Sequence, residues 1–173
     1  LSKFDPQKSI IEYVLAAKQQ GGRLAAMTVK DFVEETASES PAPGGGSIAA
    51  NLGALGAALG TMVANLSSHK RGWDSRWEEF SDWAEKGKVC HQELVALIAR
   101  DTEAFERIMM AWRLPDKSDS EKAAKEEAVQ AATLFAIETP FRVMEVSLQS
   151  MDVARAMADI GMSASASDAG VAA

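Results

Sequence analysis

A run of side chains too small to fill space fixes what this chain can fold into. Residues 48–66 are dominated by Ala, Gly, Leu and Met, with Gly53, Gly56 and Gly60 inside what reads as one helix. Each interior glycine costs roughly 1 kcal/mol relative to Ala, so the bare backbone has to serve a purpose. Ala49, Gly53 and Ala57 form one i, i+4 row, and Gly56, Gly60 and Ala64 form another. Two such flat ridges let a neighbouring helix, or a flat ligand, come close to the main chain. Ahead of them stands Pro41-Ala42-Pro43-Gly44-Gly45-Gly46-Ser47. The consecutive glycines predict a loop in conformations that only glycine adopts without strain, with Ser47 as the helix N-cap. Such a loop gathers free amides and the positive end of the helix dipole, which suits an anion.

Other readings of this stretch compete with a ligand site. Close helix packing alone would use the same small residues. A membrane span with a Gly56-x-x-x-Gly60 contact has the right length, about 20 residues. Ala and Gly supply little insertion energy, however, and Asn51 and Asn65 lie inside the run. A nucleotide P-loop fails because no Gly-Lys-Ser/Thr follows the glycines.

The totals narrow the class. At 173 residues the chain is one domain's worth; with 6% aromatic residues and few β-branched ones, it points to helices packed on helices. A net charge of −7 argues against a nucleic-acid footprint. The single cysteine, Cys90, allows no intrachain disulfide, and neither a Cys cluster nor a His pair suggests zinc. No charged and then apolar leader is visible, so a cytoplasmic protein with no membrane partner is the expectation. The first residue is not Met and the apolar end at Ala173 lacks a terminator, which reads as a fragment cut short at its C-terminus.

Along the chain, an amphipathic helix is expected over 7–20, closed by Gly21-Gly22, with residues 1–27 forming a connection and 28–173 the domain. Thr28 with Asp31, and Ser118 with Glu121, resemble capping boxes. Residues 73–112 form one long helix or two collinear ones, ended by Leu114-Pro115. A helix over 121–138 is expected to stop at Thr139-Pro140, where Pro140 opens the next one, running to about Ile160. A Ser/Ala-rich turn then starts a last helix. Lys70 and Arg71 follow the small-residue helix and read as a solvated pair favoured by its dipole, or as a receptor for a carboxylate. Asp152 and Arg155 are most simply a salt bridge.

Asp101 is the informative acid. On a helical wheel with Leu94 at zero it falls at about −20°, inside the stripe made by Leu97, Ile98, Phe105, Ile108 and Trp112. A carboxylate there must be paired, hydrogen-bonded or protonated. It is a structural acid capping another helix's free amides, an acid–base group in a pocket, or a residue turned outward by a helix bend. Asp168, among Ser163, Ser165 and Ser167, is either a residue at the N-cap or first position of a helix or a partner for a substrate nitrogen.

The run from Ser40 to Ser47 is followed by Gly53-Ala54-Leu55-Gly56-Ala57-Ala58-Leu59, Met62-Val63-Ala64-Asn65-Leu66, Asp101-Thr102-Glu103-Ala104-Phe105, Thr139-Pro140 and Ser167-Asp168-Ala169-Gly170-Val171. Together they resemble the cyclodeaminase domain of the formiminotransferase-cyclodeaminase family, which also includes methenyltetrahydrofolate cyclohydrolases. The resemblance spans about residues 28 to 173. It implies an all-α bundle of long helices around a central Ala/Gly-rich helix, a homodimer or higher homo-oligomer, and a formiminotransferase domain in the full-length bifunctional proteins. It further implies conversion of 5-formiminotetrahydrofolate to 5,10-methenyltetrahydrofolate and ammonia, in histidine degradation feeding one-carbon metabolism.

That reaction asks for a base at N10, an acid at the leaving nitrogen, and negative charge beside the methenyl cation, with no metal required. On this resemblance Asp101 and Asp168 are the expected catalytic carboxyls. Gly44, Gly45, Gly46 and Ser47 would bind the pterin or a glutamyl carboxylate, and Lys70 and Arg71 would meet the glutamate tail. A cyclohydrolase on the same scaffold, and a non-catalytic helical dimerisation module, are the alternatives.

Overall fold

The computed structural model describes residues 22–173, and every regular element among them is helical. The helix expected over 7–20 lies outside the described residues. The elements are α1 (Gly22–Ala25), α2 (Val29–Thr36), α3 (Gly45–Ser68), α4 (Trp77–Trp112), α5 (Asp119–Ile160) and α6 (Ala166–Ala172). Single 3-10 turns, Asp74–Arg76 and Ser163–Ser165, lead into α4 and α6. Leu24 of α1, from the segment expected to be a connection, is packed into the core beside Ala50, Ala54, Leu94 and Leu97.

Three long helices carry the architecture. Ser47 and Gly53 of α3 meet Ile98 and Leu94 of α4, so these two run antiparallel. Gly53 and Gly60 of α3 meet Ser147 and Val153 of α5, so α3 and α5 run parallel. A Cβ on Gly53 would come within 2.8 Å of Ser147 Oγ, which is why the flat ridge is needed there. The inward side of α3 consists of Ala50, Ala54, Ala57, Gly60, Val63, Ala64 and small hydroxyl residues. By length and composition α3 could cross a membrane, yet one side of it packs against α4, α5 and α6. A second apolar cluster closes its far end: Val63, Phe80, Val153, Met157 and Ala169, with Trp73 stacked on Phe80 at 5.4 Å. Phe80 is wholly buried, and truncating such a ring to Ala costs about 3–5 kcal/mol.

Both expected helix starts are capped by their own side chains, but only the second is a reciprocal capping box. Thr28 accepts from Asp31 N at 3.1 Å, and Ser118 and Glu121 cap each other's amides. Asp152 and Arg155 do pair, at 3.8 Å. Residues 77–112 form one unbroken helix.

Three expectations are corrected. Thr139-Pro140 does not break the chain: α5 runs through Pro140, and the buried Thr139 hydroxyl donates to Phe135 O at 2.9 Å, inside a helix held by packing on both sides of the proline. Glycines 44 to 46 need no left-handed backbone; among the described residues only Gly22 and Gly72 have positive φ. Ser47 is not the N-cap, because the helix already starts at Gly45 with extended Gly44 as its cap.

Candidate functional site

The head of α3 is built around one carboxylate. Ser47, at the third helical position, donates its N–H to Asp101 Oδ2 at 2.8 Å and its Oγ–H to the same oxygen at 2.9 Å; Ile98 O lies 3.1 Å from that hydroxyl. Asp101 therefore caps a free amide of another helix from the side, in place of a local N-cap side chain. Gly46 has to be glycine for the same reason: a Cβ there would collide with Asp101 Oδ1, whereas one on Gly45 would meet nothing within 4 Å. Oδ1 accepts no hydrogen bond from the described residues. The buried stripe around Asp101 is real for Leu94, Leu97 and Ile98, but Phe105 and Trp112 past it are exposed.

Two clefts flank this end of α3. One of about 420 Å³ is lined by Arg23, Ala42, Ala99, Thr102, Glu103 and Glu106. Thr102 Oγ1 is buried there without a hydrogen-bond partner among the described residues. Asp101 turns toward Ser47 and is not part of that lining. A more apolar groove of about 640 Å³ runs between α2 and α3, with Phe32, Thr36, Ile48, Asn51 and Leu52 on its walls.

The other expected site residues lie elsewhere. Lys70 and Arg71 follow the C-terminal end of α3, which at 1.5 Å per residue is roughly 36 Å from the glycines. Lys70 Nζ sits 3.8 Å over the Trp73 ring. Asp168 is half-buried at the third position of α6, a helix without a side-chain cap at Ser165. Its neighbour Ala169 packs with Val63 and Ala64, about 25 Å along α3 from Ser47. Within one chain the structure joins Asp101 to Gly46 and Ser47, and brings neither Asp168 nor the Lys70-Arg71 pair to them.

The family described as formiminotransferase-cyclodeaminase matches residues 28–173. The chain belongs to that family.

A methenyltetrahydrofolate cyclohydrolase from Methylorubrum extorquens is 38% identical over 145 residues, covering 84% of this chain and 70% of the relative. The formimidoyltransferase-cyclodeaminase of Mus musculus is 31% identical over all of this chain, which spans 32% of that protein. Among solved structures, a formiminotetrahydrofolate cyclodeaminase from Thermotoga maritima superposes with a TM-score of 0.72 at 29% identity, covering 85% of this chain and 69% of that one. The all-α fold is thus the family's.

Within this family member, the residue that sequence reasoning passed over is Thr102. It stands beside Asp101 in the Asp-Thr-Glu-Ala-Phe motif, but nothing in the sequence distinguishes an orphaned hydroxyl from a solvated one.

Proposed function

We propose that the chain carries the folate-cyclising activity of its family: closure of 5-formiminotetrahydrofolate to 5,10-methenyltetrahydrofolate with release of ammonia. The observation that carries this reading is the Asp101 carboxylate, fixed by Ser47 through one oxygen and free on the other at the head of the glycine-backed helix. In the reaction N10 attacks the carbon of the N5-formiminium, forming the N10–C bond. The N10 proton moves to the former imino nitrogen, and the C–N bond to that nitrogen breaks. Ammonia leaves, and the positive charge passes from the formiminium to the methenyl bridge, so charge and atoms balance. One carboxylate can take the proton at N10 and return it at the leaving nitrogen, with its own charge offsetting the cation. Asp101 is the group we assign to that shuttle.

Substrate would enter from the clefts beside the loop, with the Phe32–Leu52 groove as an apolar wall. Their volumes fall within the usual range for small-molecule sites, about 300–1,000 Å³. Asp168 and the Lys70-Arg71 pair are too far along α3 to share the same folate atoms in one chain.

A second reading is favoured by the similarity to the Methylorubrum extorquens protein: hydrolysis of the methenyl bridge, with water adding where ammonia would otherwise leave. The same carboxylate would then deprotonate water. Supplying 5-formiminotetrahydrofolate and measuring ammonia separates the two. Ammonia formed in step with the methenyl product supports the cyclodeaminase. Turnover of methenyltetrahydrofolate without ammonia release from the formimino compound selects the hydrolase, and failure to turn over either folate removes both.

A further inference from the structure

Ser47 is wholly buried, so the hydroxyl expected to bind a folate has no surface with which to touch one. What it reaches instead is a pair of acceptors on α4. Its single proton has Asp101 Oδ2 at 2.9 Å and the Ile98 carbonyl oxygen at 3.1 Å. A hydroxyl donates one hydrogen bond and turns about its C–O bond to suit its surroundings. It can serve either oxygen, but not both at full strength.

The charge on Asp101 decides between them. A hydrogen bond to an ionised acceptor is roughly twice as strong as one between neutral groups. While Asp101 is a carboxylate, Oδ2 outcompetes the Ile98 carbonyl, which in a regular helix already accepts the amide four residues on. Once Oδ1 has taken a proton that advantage is gone, and the hydroxyl is free to turn to Ile98. The Ser47 amide, 2.8 Å from Oδ2, holds the carboxyl in place through both states.

The charged groups around this point are engaged elsewhere. The first turn of α3 carries no charged side chain. On α4, Arg100 lies over the Phe135 ring, Arg107 holds Glu103, and Glu106 lines the adjoining cleft. Arg23 of α1 holds Glu35, and Arg142 of α5 holds Glu93 and Glu145. The donors that answer the Asp101 charge are the two of Ser47.

We infer that Ser47 is a positioning residue for the proton shuttle, its hydroxyl turning to Oδ2 when Asp101 is charged and to Ile98 O when it is protonated. This rests on the reading of Asp101 as the shuttle in folate cyclisation. One proton passes from N10 to Oδ1 and on to the leaving nitrogen; the hydroxyl only rotates, and no bond of Ser47 breaks. Without that hydroxyl the charged state loses a strong bond and the protonated state only a neutral one, so return of the proton is slowed.

Ser47→Ala keeps the amide and removes the hydroxyl alone. We expect kcat on 5-formiminotetrahydrofolate to fall about tenfold or more, the loss of one charge-assisted bond, with KM within about twofold of the parent. Ser47→Thr restores a hydroxyl and should recover most of the loss. Infrared spectra of protein labelled with carbon-13 aspartate read the same contact without substrate. The carboxylate band assigned to Asp101 by its disappearance in Asp101→Asn should shift in Ser47→Ala. An unshifted band in the folded variant overturns the inference, and so does a parent-like kcat. A raised KM with kcat kept would make Ser47 a binding residue and overturn it equally. If the parent turns over neither folate, the reading of the reaction fails on its own, and the infrared band still decides whether the Ser47 hydroxyl follows the charge on Asp101.

Discussion

Asp101 Oδ2 takes two hydrogen bonds from Ser47, one from its amide at 2.8 Å and one from its hydroxyl at 2.9 Å. One acid thereby holds the head of α3 against α4 and presents its second oxygen beside Gly46. Asp101→Asn keeps a side-chain oxygen for the Ser47 amide and loses the negative charge. We expect a folded protein, weakened by about 1–2 kcal/mol, with kcat lower by at least about 10². Thermal unfolding and steady-state turnover check the two halves separately. Ordinary kinetics in a folded Asn variant would leave Asp101 with structure alone.

The neighbouring glycines should respond in opposite directions. Gly46→Ala drives a methyl into Asp101 Oδ1, and we expect about 1–3 kcal/mol of destabilisation together with loss of turnover. Gly45→Ala meets nothing within 4 Å and should be neutral or stabilising, by up to about 1 kcal/mol. Equal effects of the two in a denaturant titration would refute the contact.

Lys70→Ala with Arg71→Ala tests where the substrate sits. Both cations follow the far end of α3, so the double variant should leave KM for a monoglutamyl folate within about twofold of the parent. A large rise in KM would move the binding site to that end.

Cys90 is buried, and its thiol is held above the ordinary value of 9.0, chiefly by burial and then by the Glu93 charge. A raised folded-state value means a contribution to stability that is whole below the unfolded thiol's pKa and drains away as pH climbs toward the folded one. Stability should thus fall more steeply above pH 9 in the parent than in Cys90→Ala. Chemical denaturation at several pH values reads the difference in slope, whatever the cost of the substitution itself.

Much of this architecture was legible because it rests on local periodicity. The stripe through Leu94, Leu97 and Ile98 placed Asp101 facing a neighbour, and the capping residues Thr28 and Ser118 marked two helix starts. The sequence could not say which element Asp101 would meet, since a wheel assigns a face and not its occupant. The expected pause at Pro140 was lost to tertiary packing: buried Val143 and Val146 on one side and Ala132 on the other hold α5 continuous across a residue that donates no amide bond. Lys70 and Arg71, expected at the glutamate tail, stand at the opposite end of α3 from the glycine loop, a separation that follows from the 24-residue length of the helix.

Ser67 accepts from the Met162 amide at 3.0 Å and donates to Val63 O, while Ser47 is held by Asp101 at the opposite end. Two serine hydroxyls therefore pin α3 lengthwise, one against α4 and one against the turn that leads into α6. The helix behaves as a strut rather than a piston. Any message passing from the α6 end to the glycine end has to travel as tilt or bend, because axial sliding would tear both fastenings at once.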